Sequence, residues 1–165
     1  HLVAEAIARA KRQGVSEELL SELDGFTGAV GIWDSGRPGP VTAFRFDIDC
    51  VQVGETSDPA HEANAGGYAS ERPNLMHACG HDGHLAVGLG VAQWIKDHAD
   101  QLCGKIKLVF QPAEEGTRGA RPMAESGILD DVDFIVCTHI GSSVPLHQVA
   151  VCTHGYLATT KLDLF

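Results

Sequence analysis

The chain has 165 residues, which is enough for one domain with a proper core. Its formal net charge of −10 argues against nucleic acid or an anionic membrane surface as a partner, and no apolar run is long enough to span a membrane. The five cysteines are odd in number and scattered, which argues against a disulfide framework and predicts a reducing, cytoplasmic location.

The first part of the chain predicts two helices and a hairpin. Residues 3–11 and 16–23 have helical patterns. Residues 28–33 and 41–46 predict strands, and the turn-forming residues between them predict that the two strands pair as a hairpin. Residues 51–75 lack periodicity, and an irregular segment of this length is usually functional or mobile.

Helices and strands alternate in the second part of the chain. Helices are predicted near residues 83–98 and 118–127. Strands are predicted near residues 105–111, 132–138, 147–153 and 156–165. This alternation predicts right-handed β-α-β units, an α/β fold and a largely parallel sheet.

A cluster of polar side chains lies where a loop enters the first of these later helices. Within residues 77–84 the chain carries one thiol, Cys79, with the carboxylate of Asp82 and three imidazoles, His77, His81 and His84. Thiolate, imidazole and carboxylate groups bind Zn²⁺ and similar ions. A capped helix start with incidental histidines is the alternative interpretation.

Further polar residues follow the next two predicted strands. Glu114 and Glu115 come after residues 105–111, and His139 comes after residues 132–138. An α/β sheet places its chemistry at the carboxyl ends of its strands. Of two adjacent carboxylates, one can bind a metal ion while the other stays free beside a water molecule. The order and spacing of these residues favour a metal site.

Four motifs resemble those of the aminoacylase/carboxypeptidase metallopeptidases. They are Phe-Arg-Phe-Asp-Ile-Asp at residues 44–49, Met-His-Ala-Cys-Gly-His-Asp at 76–82, Phe-Gln-Pro-Ala-Glu-Glu-Gly at 110–116 and Thr-His-Ile at 138–140. The resemblance covers nearly all the chain from about residue 27. It implies a three-layer, zinc-peptidase-like catalytic domain. It also implies hydrolysis of the amide bond of an N-acyl or N-aroyl amino acid, with p-aminobenzoyl-glutamate the preferred candidate.

The resemblance implies a site with two divalent metal ions, Mn²⁺ or Zn²⁺. The implied metal ligands are Cys79, His81, Glu115 and His139. Glu114 is the implied general base, which takes a proton from water and returns it to the leaving amine. Behind the ligands, Asp47 is expected to orient one of them, and Asp82 is expected to cap the helix and support His81.

Family members are considerably longer, which bears on domains and partners. Residues 1–155 are expected to be the N-terminal part of the catalytic domain, and residues 156–165 the first strand leading into a smaller dimerisation domain. The family's last histidine ligand lies beyond residue 165, so the chain alone is expected to be a poor catalyst. A full-length protein is expected to form a homodimer or a hetero-oligomer.

Two other functions remain open on the sequence. One is a structural zinc module, which paired Cys-x-x-Cys thiols would favour, although the chain has none. The other is a non-catalytic fragment that keeps the fold without completing the site. Metal content and the mass of the natural gene product distinguish these from an amidohydrolase.

Overall fold

A computed structural model describes residues 2–23, 27–141 and 144–151. Its helices are α1 (Leu2–Arg12), α2 (Glu17–Leu23), α3 (Glu62–Gly66), α4 (His81–Asp97) and α5 (Ala120–Glu125). Its strands are β1 (Ala29–Asp34), β2 (Val41–Asp47), β3 (Lys105–Gln111) and β4 (Phe134–Cys137). No helix of the described part is long and apolar enough to cross a membrane.

The four strands form one sheet in the order β1-β3-β2-β4. β2 runs parallel to β3 and to β4, whereas β1 runs antiparallel to β3. The register pairs Asp47 with Gln111 and Arg45 with both Val109 and Cys137. The carboxyl ends of β2, β3 and β4 therefore lie at one edge, and the predicted α/β fold with a largely parallel sheet is confirmed.

Side chains of β3 alternate between two covered faces of the sheet. Ile106 and Leu108 pack with Phe46 and Ile95 in the core beneath α4. Gly88 of α4 permits this close packing, because a Cβ there would lie 2.5 Å from the Phe110 ring. On the other face, the ammonium group of buried Lys107 donates to the main-chain oxygen of Ile128 at 2.6 Å, and it also pairs with Asp131. The central strand of the sheet is thus covered on both faces.

The predicted hairpin of β1 and β2 is wrong, because β3 lies between the two strands. β3 is buried on both faces along most of its length, so it takes a central position with a neighbour on each edge. The connection from β1 to β2 crosses the start of β3 instead of turning tightly. There the Ser35 hydroxyl donates to the Gly104 oxygen at 2.9 Å, and the Lys105 N–H donates to the Pro40 oxygen at 3.0 Å.

The segments at residues 147–153 and 51–75 differ in part from what the sequence predicts. The predicted strand at 147–153 is wrong for residues 147–151, which form a turn and irregular backbone, and its last two residues lie outside the described part. The irregular segment at 51–75 contains α3 and is tied back by an isolated bridge between Val51 and Met76. The predicted strand at 156–165, and with it the domain boundary at 155–156, lies outside the described residues.

Candidate active site

The predicted functional residues come together at the carboxyl edge of the sheet. Asp47 is the last residue of β2, Glu114 and Glu115 follow β3, and His139 follows β4. The start of α4 brings His81 and the preceding Cys79 to the same place. Cys79 and His139 are 60 positions apart in the chain, yet Sγ of Cys79 lies 3.7 Å from Nε2 of His139.

His81 has one bonded and one unbonded ring nitrogen. Nδ1 donates to the main-chain oxygen of Asp49 at 2.8 Å, so the proton of the neutral ring is on Nδ1 and Nε2 carries a lone pair. The side chain is 1% exposed, and buried Nε2 has no hydrogen-bond partner. Around Nε2 lie carboxylate oxygens of three residues at 3.8–4.0 Å, those of Asp47, Glu114 and Glu115.

Cys79 completes this constellation with a thiol. One ligand atom each from Cys79, His81 and Glu115 lie within 4.8 Å of one another, as metal ligands must. The hydrogen bond to the Glu115 carboxylate, burial and nearby negative charge raise the pKa of the Cys79 thiol to about 11. The thiol is therefore protonated at neutral pH. Only a cation bound next to the sulfur would make the thiolate favourable.

Asp49 fixes the backbone of the two glutamates. Its carboxylate accepts the main-chain N–H of Glu114 at 3.0 Å and that of Glu115 at 3.1 Å. The glutamate loop is bracketed by Ala113 and Thr117, whose φ values of 53° and 52° are unusual for residues with a side chain. Hydrogen bonds and a constrained backbone thus set where the two carboxylates point.

Asp47 is completely buried beneath these groups. Its carboxylate accepts from Arg45 at 2.7 Å and from Nδ1 of His84. Burial alone would raise the pKa of Asp47, but the His84 hydrogen bond and the charge of Arg45 outweigh burial and hold the pKa below its ordinary value. A carboxylate that is ionised at neutral pH therefore lies 3.8 Å from His81 Nε2, beside the ligand that it is predicted to orient.

Asp82 does not cap the helix or support His81 as predicted. Asp82 is exposed and lines a separate cleft of about 410 Å³ with Cys50 and His77. The helix cap is Gly80 and has no side-chain hydrogen bond. The physical reason is position, because the second residue of α4 points away from the face that carries His81.

Sequence reasoning gives no role to two residues that the structure places in the site, Asp49 and His84. Asp49 stands in the sequence only as part of a motif, and His84 only as one imidazole of a cluster. Two signals are available. Asp47 and Asp49 are two positions apart at the end of a strand, and His81 and His84 are three positions apart on a helix, so each pair shares a face. A second group of possible ligand atoms results, from Asp47, His81, His84 and His139.

Comparison with known proteins agrees with this geometry. The model of peptidase family M20/M25/M40 matches residues 43–156. A Haemophilus influenzae protein, named as the homolog of one of the subunits of p-aminobenzoyl-glutamate hydrolase, is 48% identical over 163 residues, covering 99% of this chain and 38% of that protein. An indole-3-acetyl-aspartic acid hydrolase of Enterobacter agglomerans is 51% identical over 162 residues, covering 98% of this chain and 37% of that protein.

Solved structures give the same family. An aminobenzoyl-glutamate utilization protein from Klebsiella pneumoniae superposes with a TM-score of 0.64 at 43% identity, over 87% of this chain and 30% of that one. A dinuclear metal binding peptidase from the M20 family of Bacillus subtilis has a TM-score of 0.64 at 35% identity, over 72% and 31% of the two chains. The chain thus spans less than two fifths of the length of these relatives. It belongs to peptidase family M20/M25/M40.

Proposed function

We propose that this protein is a metal-dependent amidohydrolase that cleaves the amide bond of an N-acyl or N-aroyl amino acid. The observation that carries the proposal is the buried Nε2 of His81. A lone pair facing carboxylate oxygens of Asp47, Glu114 and Glu115 at 3.8–4.0 Å is repelled by them unless a cation lies between. The donor set therefore fits a divalent metal ion.

Four side chains would hold the metal, namely Cys79, His81, Glu115 and His139. One thiolate, two imidazoles and a carboxylate suit Zn²⁺ or Mn²⁺. We propose two such ions, in keeping with the name of the B. subtilis neighbour, a dinuclear metal binding peptidase. Bound metal would supply Lewis-acid polarisation of the amide carbonyl and acidify water at the site.

Glu114 would act as the general base. Its side chain is 40% exposed, whereas that of Glu115 is 32% exposed, so both are reachable from solvent. Asp49 holds the two backbone N–H groups side by side, and an oxygen of each carboxylate lies within 4.0 Å of His81 Nε2. Glu114 can then take a proton from the attacking water and deliver it to the departing amine while Glu115 stays engaged.

We propose an aromatic acyl group joined to an acidic amino acid as the substrate class, with p-aminobenzoyl-glutamate as the preferred candidate. The support lies in the names of the relatives. One is named for p-aminobenzoyl-glutamate and another for indole-3-acetyl-aspartic acid, and both compounds have this form.

We also propose an assembly and a location for the protein. Two relatives carry names that make each of them one of the subunits of a hydrolase, which favours a hetero-oligomer over a homodimer. A thiolate ligand requires that Cys79 stay reduced, and the four cysteines of the described part are free. A reducing cytoplasm provides that condition.

Two single substitutions in the natural gene product test the proposal. Glu114→Gln should lower the release of p-aminobenzoate by about 10²–10⁴-fold, the usual cost of losing a general base, with bound zinc unchanged. Glu115→Gln should reduce the bound zinc itself. Glu125→Gln is the matched control, because that exposed carboxylate pairs with Arg121 on α5 outside the site. Equal zinc loss in the first two variants would contradict the two roles, and zinc binding without turnover in the unsubstituted protein would favour a structural metal module.

A further inference from the structure

His84 is a buried imidazole that has no part in the proposed ligand set. It lies on α4, one turn after His81, and is 2% exposed. Nδ1 bonds the carboxylate of Asp47, and Nε2 accepts the main-chain N–H of Ile140 at 2.8 Å. Its ring is 5.4 Å from that of His81 and 4.5 Å from that of His139, centroid to centroid.

The partners of His84 determine its tautomer. A main-chain N–H can only donate, so Nε2 must accept with its lone pair and cannot carry a proton. The proton of the neutral ring is then on Nδ1, which donates it to Asp47. Both ring nitrogens are occupied, and neither is left to bind a cation.

The two neighbouring histidines have the opposite arrangement at Nε2. In His81, Nδ1 donates to the Asp49 oxygen, and in His139, Nδ1 donates to the Ile140 oxygen, each at 2.8 Å. Nε2 of each ring is thereby kept unprotonated and faces the site, where that of His139 lies 3.7 Å from Cys79 Sγ. Of the three adjacent imidazoles, those of His81 and His139 thus present Nε2 to the site, whereas Nε2 of His84 is occupied by a main-chain N–H.

Ile140 joins His84 to His139. Its N–H is held by His84, and its side chain lies on the first turn of α4. A Cβ added at Gly83 would come within 2.5 Å of Ile140 Cδ1, and one at Gly80 within 3.4 Å of Ile140 Cβ. The peptide that follows His139 is therefore seated on the helix that carries His81, by one hydrogen bond and one apolar contact.

We propose that His84 is a positioning residue and not a metal ligand. As a neutral ring anchored by Asp47, it holds the Ile140 N–H and so fixes Nε2 of His139 beside Cys79. This inference rests on the proposed function only in taking His139 as a ligand. The two hydrogen bonds of His84 would then orient His139. Partners of this kind typically contribute about 10–100-fold to metal affinity.

Two substitutions separate the two hydrogen bonds of His84. The amide of Gln reaches about as far as Nε2 and can accept the Ile140 N–H, whereas that of Asn reaches only about as far as Nδ1 and can donate to Asp47. His84→Asn should weaken Zn²⁺ binding, measured by calorimetry, by about 10–100-fold, and His84→Gln should restore most of it. His98→Gln, at the far end of α4, is the control. Equal losses in the Gln and Asn variants would overturn the proposal.

Nuclear magnetic resonance of the histidine ring nitrogens tests the same point without metal. The metal-free protein should show His84 as the Nδ1–H tautomer, and His84→Asn should shift the signals of His139. Added Zn²⁺ should change Nε2 of His139 and leave Nε2 of His84 unprotonated and uncoordinated. Zinc coordination at His84 Nε2 would overturn the proposal. Failure of the unsubstituted protein to bind zinc would sink the proposed function, while the metal-free tautomer and the His139 shift would still decide the role of His84.

Gly83→Ala tests the apolar half of the contact without removing a polar group. Alanine favours a helix more than glycine does, and its methyl group would meet only the end of the Ile140 side chain, so the fold should be retained. Its methyl group would displace Ile140 Cδ1 and should weaken zinc binding. Adding Ile140→Val removes that atom and should recover the affinity. An unchanged affinity in Gly83→Ala would contradict the seating of Ile140 as the link to His139.

Discussion

One imidazole nitrogen, Nε2 of His81, shows why this site calls for a cation. Its lone pair is buried among carboxylates of three residues and has no donor to bond. The same carboxylates raise the pKa of the Cys79 thiol to about 11, because a thiolate among them would be a further negative charge. A field that disfavours the thiolate when metal is absent favours a divalent ion, and with it the thiolate, when metal is present.

Zinc binding should therefore release a proton from Cys79. Because the pKa of the thiol is about 11, the group is protonated at pH 7, and affinity for Zn²⁺ should rise with pH across the neutral range. Calorimetric titration in buffers of different ionisation enthalpy counts the protons released. Cys79→Ser should release fewer protons per zinc, and Cys103→Ser, a change at an exposed free thiol, should match the unsubstituted protein. The same count in Cys79→Ser would mean that the thiol is not a ligand.

Much of the site could be predicted from residue types and their spacing. Cys79, His81, Glu114, Glu115 and His139 stand at the ends of predicted segments, and the structure brings them together. The part of Asp49 could not be predicted, because it depends on which backbone N–H groups its carboxylate meets across 65 and 66 positions of chain. Tertiary hydrogen bonds of this kind leave no periodic trace in the sequence.

Among the structural elements, the loop from Pro112 to Gly119 controls the two glutamates. The N–H groups of Arg118 and Gly119 both donate to the Ala113 oxygen at 3.1 Å, which closes the loop on itself. Gly119 lies so close to the Pro112 carbonyl that a Cβ would overlap it. Glycine is required there for space, and the space is what allows the loop to close.

Gly119→Ala should open that loop and displace Glu114 and Glu115. We expect a loss of about 1–3 kcal/mol in the free energy of unfolding, the usual cost of overpacking, and weaker zinc binding. Denaturant unfolding and zinc calorimetry measure the two effects. Gly90→Ala is the matched control, because a Cβ at that helical position meets nothing within 4 Å. Unchanged zinc binding in Gly119→Ala would show that the closed loop does not set the glutamates.

The order of the strands in the sheet shows where a local sequence pattern misleads. The pattern predicts the strands β1 and β2 but not their pairing, because turn-forming residues between two strands are compatible with a hairpin and with a crossing over a third strand. The position of β3 between β1 and β2 excludes the hairpin. β3 is buried on both faces, and its residues lie far along the chain from β1 and β2, beyond the reach of a local pattern.

In the whole molecule, a chain of −10 net charge gathers several carboxylates, a thiol and three imidazoles at a single edge of the sheet. Four separate segments contribute, those that end β2, enter and begin α4, follow β3 and follow β4. Parallel pairing of β2 with β3 and β4 is what puts these ends side by side. The site therefore depends on this order of strands. A cation bound at the site would in turn stabilise the folded chain.

We propose that Cys79 and its neighbours hold a catalytic metal ion. X-ray absorption at the zinc edge of the zinc-loaded protein tests this proposal. We predict a sulfur scatterer at about 2.3 Å beside nitrogen and oxygen scatterers at about 2.0–2.2 Å. The sulfur signal should vanish in Cys79→Ser and persist in Cys103→Ser. A zinc environment of nitrogen and oxygen alone in the unsubstituted protein, or a sulfur signal that survives Cys79→Ser, would contradict it.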